Sequence, residues 1–186
     1  MQSELQRPLG PNRRWEAREL VLLGVFAAAA KLSSLLIALA GGGMNPVSLI
    51  IKNLVYTTLV IVLLTKVPKA GTLLLFTAVS MIVSICLLGG SFTLLPAALL
   101  GALLGEAAMA ASGGTKTRWA PWVGVAVYDL AGKAFSLGVS FLFMRESPAL
   151  MTMVVPIVIV GYVGCVLGLW FAVKTVGELR HAGFVR

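Results

Sequence analysis

Six apolar stretches of membrane-spanning length alternate with short connections whose Lys and Arg residues fall almost entirely on one side, and this placement of charge constrains solvent, topology and orientation together. The stretches cover residues 19–40, 46–64, 71–89, 92–111, 121–143 and 151–173, each close to the ~20 residues that cross a bilayer as an α-helix. With 59% hydrophobic residues and a mean hydropathy of +0.97, the chain reads as an all-α, polytopic membrane protein. Arg7, Arg13, Arg14 and Arg18 precede the first span, Lys66 and Lys69 lie in the second connection, Lys116 and Arg118 in the fourth, and Lys174, Arg180 and Arg186 in the tail. The first and third connections carry no Lys or Arg, and the fifth only Arg145, offset by Glu146. The positive-inside rule then predicts a multi-pass protein of the cytoplasmic membrane with both termini inside. Trp15, Trp119, Trp122 and Trp170 all fall near the inner interface, where amphipathic rings settle at headgroup level.

The domain organisation follows: a cytoplasmic arm over 1–18, a six-helix membrane domain over 19–174 and a basic cytoplasmic tail over 175–186. The net charge of +8 is accounted for by topology, and no basic helix or aromatic platform stands outside the membrane to bind nucleic acid. A cleavable signal peptide is not expected, because the first apolar run is long, follows a polar arm and lacks a cleavage motif. Cys86 and Cys165 lie within spans and read as buried thiols rather than a disulfide.

Small residues indicate how the helices meet. Ala97, Gly101 and Gly105 stripe the fourth span, Gly124, Gly132 and Gly138 mark the fifth, and Gly161, Gly164 and Gly168 the sixth. Such stripes let helix backbones approach closely and pack a bundle against itself. Gly24 and Ala28, in the run GVFAAAAK of the first span, serve either that purpose or the docking of another protein. Between the first two spans, Gly41, Gly42, Gly43 and Met44 form a loop that glycine lets adopt positive φ, with Asn45 following and Pro46 opening the next helix. This loop is expected to fold over a cavity as a gate. LGGSF, between the third and fourth spans, predicts a tight hairpin turn; Pro96 fits a first helical turn and Pro156 predicts a kink.

Five ionisable residues, Lys31, Lys52, Glu106, Asp129 and Lys133, interrupt the apolar spans. Charge in the bilayer core costs ~2.5 kcal/mol or more, so each is expected to face the interior, pair or meet water. Helical rise places Lys52 ~9 Å below the outer end, Lys31 and Lys133 ~14 Å, and Glu106 and Asp129 ~21 Å. Asp129 and Lys133 are one turn apart and can neutralise each other; with Glu106 they read as a structural polar cluster joining the fourth and fifth helices. Asn45, Lys52 and Tyr56 share a face at i, i+7 and i+11, with Asn53 alongside. There Lys52 either snorkels to headgroups or joins Lys31 in receiving an anionic group of a ligand, with Lys133 as a further candidate.

Catalytic readings find no support. The single histidine, His181, lies in the tail, so the spans cannot assemble a Ser-His pair or a His-based zinc site. No GxxxxGK[ST] loop is present, and the two carboxylates in the spans form no acidic motif for a metal–phosphate substrate. No cofactor is implied; haem held through Met44 or Tyr56 would have no histidine beside it in the spans.

The segments KVPKAG after the second span, GALLGEAAMAASGG ending the fourth, YDLAGKAFSLG in the fifth and the tail GELRHAGFVR carry a resemblance covering most of the chain. It resembles the substrate-binding S components of energy-coupling factor (ECF) transporters, and more specifically the Trep-Strep family of putative S components. The resemblance implies an importer subunit that binds a vitamin-like nutrient at the outer side and works with a transmembrane T component and two cytoplasmic ATPases. It also implies docking of the T component on small residues of the first helix, whose nearest equivalents are Gly24 and Ala28. Because folds host many ligands, the substrate does not carry over. The three cations against two carboxylates in the spans favour an anionic ligand, such as a carboxylate-bearing vitamin, an amino-acid derivative or a tetrapyrrole. The alternatives are a non-transporting membrane scaffold or assembly subunit, and a self-sufficient secondary carrier, for which inverted repeats would be expected.

Overall fold

A computed structural model describes residues 15–41, 45–88, 95–114, 117, 119–143 and 148–182. Six helices follow in order: α1 (Ala17–Ala40), α2 (Pro46–Lys66), α3 (Thr72–Leu88), α4 (Leu95–Ala111), α5 (Ala120–Phe143) and α6 (Pro148–His181). Four of them, α1, α2, α5 and α6, are long and apolar enough to cross a membrane unaided. The third and fourth are 17 residues each, about 26 Å, and they start and end inside the expected spans 71–89 and 92–111. The glycine turn LGGSF falls between them, mostly outside the described residues. At its other extreme, α6 has 34 residues, about 51 Å, and outruns a ~30 Å hydrocarbon core. The segment expected to be a tail from residue 175 thus begins as helix, and the helix runs without interruption through Pro156.

Local chemistry explains the boundaries. The Glu19 carboxylate accepts the Glu16 amide at 3.0 Å at the start of α1 and also pairs with Lys69 of the α2–α3 connection. The side chain of Asn45 accepts the Val47 amide at 3.1 Å, and Pro46 takes the first helical position, where its missing N–H costs nothing. Pro96 occupies the first turn of α4 as its φ allows. Gly41 differs from expectation in its reason for being glycine. Its φ is −97°, open to any residue, but a Cβ there would lie 1.8 Å from Ser48 Oγ, which donates to the Gly41 carbonyl at 3.4 Å.

The helices form a closed ring in the order α1, α2, α6, α5, α4, α3, with α2 and α5 also touching across its middle. Two pairs, α2 with α6 and α4 with α5, share the most extensive contacts, and glycine makes both possible. A Cβ on Gly164 would stand 2.7 Å from the Ile50 carbonyl and one on Gly168 2.8 Å from that of Leu54. Across the other pair, a Cβ on Gly105 would stand 2.8 Å from the Gly124 carbonyl and one on Gly101 3.0 Å from Gly132 Cα. Gly132 and Gly138 themselves have open space at the Cβ position.

The buried apolar core lies in one half of the ring. Leu23, Ala27, Val60, Ile61, Leu63, Leu73 and Phe76 are fully buried in the half that carries Trp15, Lys66, Lys69 and the start of α5. Outward-facing residues remain apolar, with Leu142 and Trp170 each 74% exposed, as suits a surface solvated by lipid. Cys165 is buried, whereas Cys86, expected to be buried, faces outward.

Candidate functional site: a charged cavity inside the helix ring

The other half of the ring encloses a cavity of 390 Å³, within the ~300–1,000 Å³ usual for small-molecule sites. Helical periodicity delivers its lining. On α2, Leu49, Lys52, Asn53 and Tyr56 recur at intervals of three and four; on α5, Tyr128, Asp129, Gly132, Lys133 and Ser136 do the same; α1 adds Ala30, Lys31 and Ser34. Met81 of α3 and Ala98 of α4 close the remaining side.

Polar side chains tie α2 to α5 through this space. The hydroxyls of Tyr56 and Tyr128 lie 2.9 Å apart, within hydrogen-bond distance, and the Tyr56 ring packs on Phe76 with centroids 6.0 Å apart. Asp129 and Lys133 form an ion pair one turn apart on α5. The Lys133 ammonium also donates to Asn53 Oδ1 at 3.4 Å, and Asn53 Nδ2 donates to the Leu49 carbonyl at 2.8 Å. Behind this group, a Cβ on Gly161 would approach Lys133 Cε to 3.1 Å and Asn53 Nδ2 to 3.4 Å. Lys133 is therefore held from three sides.

Lys31 and Lys52 are held differently. Among the described residues neither has a carboxylate or hydrogen-bond partner, and their like charges repel each other. Counting the lining groups, three lysines face one aspartate, so the cavity carries a formal excess of two positive charges. A cavity so charged is suited to an anionic small molecule, with hydroxyls and an amide to orient it. Among the described residues no group of three or more His, Cys, Asp or Glu could hold a metal ion.

Five of the six residues expected at the ligand site, Lys31, Lys52, Asn53, Tyr56 and Lys133, meet on this one cavity. Asn45 does not: it is exposed and its side chain is engaged in capping α2. Pro46 likewise belongs to the helix start. Of the expected gate, Gly41 closes α1 against Ser48, while Gly42, Gly43 and Met44 lie outside the described residues. The expected cluster of Glu106, Asp129 and Lys133 is also corrected. Glu106 instead accepts the amides of Gly71 at 2.6 Å, Leu73 at 2.9 Å and Leu74 at 3.1 Å, making it the N-terminal cap of α3. The glycine contacts explain the separation. Gly105 opposes Gly124 and Gly101 opposes Gly132, which puts Glu106 about a turn away from the level of Asp129.

Gly24 and Ala28 lie on α1 outside the cavity. Gly24 has nothing within 4 Å of its Cβ position and Ala28 is half-buried, while Leu23, Ala27 and Ala30 of the same helix are buried in the bundle. Tyr128, Ser34 and Ser136 line the cavity without having stood out in the sequence. A signal for two of them is present there, since 128, 132 and 136 continue the face that bears Lys133.

A family model described as a hypothetical bacterial integral membrane protein, Trep_Strep, matches residues 17–149. No curated protein and no solved structure matches the chain. The matched region contains α1 to α5 and with them every side chain that lines the cavity. The chain belongs to the Trep_Strep family of hypothetical bacterial integral membrane proteins.

Proposed function

We propose that this protein is the substrate-binding S component of an ECF-type importer for a small anionic nutrient of vitamin-like size. The observation that carries the reading is the 390 Å³ cavity, lined by residues of five helices and carrying more positive than negative charge. A membrane scaffold has no use for such a space, because lysines without a partner among the described residues are costly in an apolar bundle unless something answers them. The resemblance to S components supports the same reading, as does the absence from the sequence of a nucleotide-binding loop. Energy then comes from outside the chain, from a T component and two cytoplasmic ATPases. The charge bias of the connections supports cytoplasmic termini and, with them, a cavity in the outer half of the cytoplasmic membrane. The protein binds and delivers its ligand without transforming it, and the outward face of α1 around Gly24 and Ala28 docks the T component.

The test is reconstitution. Small molecules released from the purified protein are identified by mass spectrometry, and the labelled molecule is offered to liposomes. The chain alone should bind it saturably without accumulating it, and ATP-driven uptake should appear only with the T component and ATPases. Ala28→Leu should abolish uptake and complex formation at unchanged ligand affinity. Uphill uptake by the chain alone on a proton or sodium gradient would refute the S-component reading in favour of a secondary carrier.

A further inference from the structure

The three lysines of the cavity are not equivalent, and the difference specifies the ligand more narrowly than its being anionic. Lys133 already has its counter-charge in Asp129 and a second acceptor in Asn53. Lys31 and Lys52 reach the same space from α1 and α2 and have no such partner among the described residues. Both line the cavity and are half-buried there, where an unanswered ammonium is costly. Two like charges lining one partly desolvated space without a counter-charge of their own among the described residues disfavour the ligand-free protein. Ser34 from α1 and Ser136 from α5 stand at the same cavity and supply hydroxyls that can donate to anionic oxygens.

We propose that the cavity takes a doubly negative ligand, a dicarboxylate or a phosphate monoester, whose two charges are met by Lys31 and Lys52 while Lys133 remains with Asp129. This rests on the reading of the cavity as a ligand site. Binding a dianion brings the cavity to formal neutrality, whereas a singly charged ligand leaves one ammonium unanswered. The two lysines belong to adjacent helices joined by the 41–45 connection, so the ligand also holds α1 to α2 near the cavity mouth. Charge repulsion in the empty state and charge matching in the bound state make both lysines unfavourable without ligand and favourable with it.

That asymmetry gives a test with two independent arms, on the full chain in lipid nanodiscs. In the first, no ligand is added and Lys31→Met and Lys52→Met, which keep the side-chain length, are melted beside the wild type. Relief of repulsion should raise the midpoint by about 2–4 °C in each; a fall in both would make the lysines structural and overturn the proposal. In the second, straight-chain dicarboxylates from malonate to pimelate and methyl phosphate are titrated calorimetrically, with monomethyl esters and dimethyl phosphate as their singly charged matches. At least one dianion should bind about tenfold or more tightly than its match, and each lysine variant should lose that advantage. Equal affinity within every pair, or a neutral or singly charged molecule recovered from the purified protein, would overturn the dianion while leaving the cavity a ligand site. No binding by any probe together with no recovered small molecule would overturn both.

Discussion

Removing the Glu106 carboxylate should destabilise the whole bundle, because a residue of α4 satisfies the first amides of α3. The amides of Gly71, Leu73 and Leu74 all donate to its two oxygens, and the negative charge sits at the positive end of the helix dipole. A hydrogen bond to a charged acceptor contributes roughly 1.5–3 kcal/mol, but amides at a half-buried helix start recover part of this from water. Glu106→Ala should therefore cost about 2–4 kcal/mol, more than the roughly 0.5–2 kcal/mol of an ordinary helix cap because three amides lose a charged acceptor. For a chain of 186 residues this corresponds to a fall in melting midpoint of about 5–15 °C. Glu106→Gln keeps one acceptor but turns an amide donor toward other donors, so it should fall between Ala and wild type. Melting can be followed by reaction of the buried Cys165 thiol with a fluorogenic maleimide in a Cys86→Ser background, since Cys86 is exposed in the folded protein. A Glu106→Ala midpoint within about 2 °C of wild type would refute the capping argument and leave the carboxylate available for another role.

Two further outcomes separate the residues of the cavity from those that only build it. Lys52→Ala should weaken ligand affinity roughly 30-fold or more, as expected when one partner of a desolvated charge contact is lost, whereas Asn45→Ala should leave affinity unchanged and cost about 1 kcal/mol of stability through the lost α2 cap; equal affinities of the two variants would remove Lys52 from the site. Gly164→Ala, whose Cβ would meet the Ile50 carbonyl at 2.7 Å, should lower the melting midpoint by overpacking worth about 1–3 kcal/mol, while Gly138→Ala, which meets nothing within 4 Å, should hold or raise it; a reversed order of midpoints would contradict the close packing of α6 on α2.

Much of the site is legible in the amino-acid sequence, for a physical reason. In a membrane an ionisable side chain is too costly to face lipid, so the five intramembrane charges have to point inward, and helical spacing gathers Lys52, Asn53 and Tyr56 on one side of α2. What spacing does not specify is the rotation and sliding of one helix against the next. Counting from the outer ends sets Glu106 level with Asp129, but the Gly105–Gly124 and Gly101–Gly132 contacts fix a register that separates them. Asn45 is misplaced by a competing signal: Asn followed by Pro is also the signature of a helix start, and the backbone claims the side chain. Tyr128 stays hidden because a tyrosine in an apolar span reads as packing until its hydroxyl is seen to meet that of Tyr56.

The three glycines of α6 seat that helix on α2 behind the charged cavity. At Gly168 and Gly164 the helix lies directly on the backbone of α2, at Leu54 and Ile50, at the level of the cavity-lining Leu49, Lys52 and Tyr56 but on a different face of α2. About a turn further along, the neighbours of Gly161 are no longer backbone but the side chains of Lys133 and Asn53. The same stripe that draws α6 against α2 therefore ends by backing the Lys133–Asn53 bridge, which holds α5 a side chain's length away from α2. Tyr56 and Tyr128, meeting through their hydroxyls, keep the same spacing beneath it. One face of α2 thus packs on the glycines of α6, while another meets α5 through polar side chains and borders the cavity that Lys31 and Lys52 line.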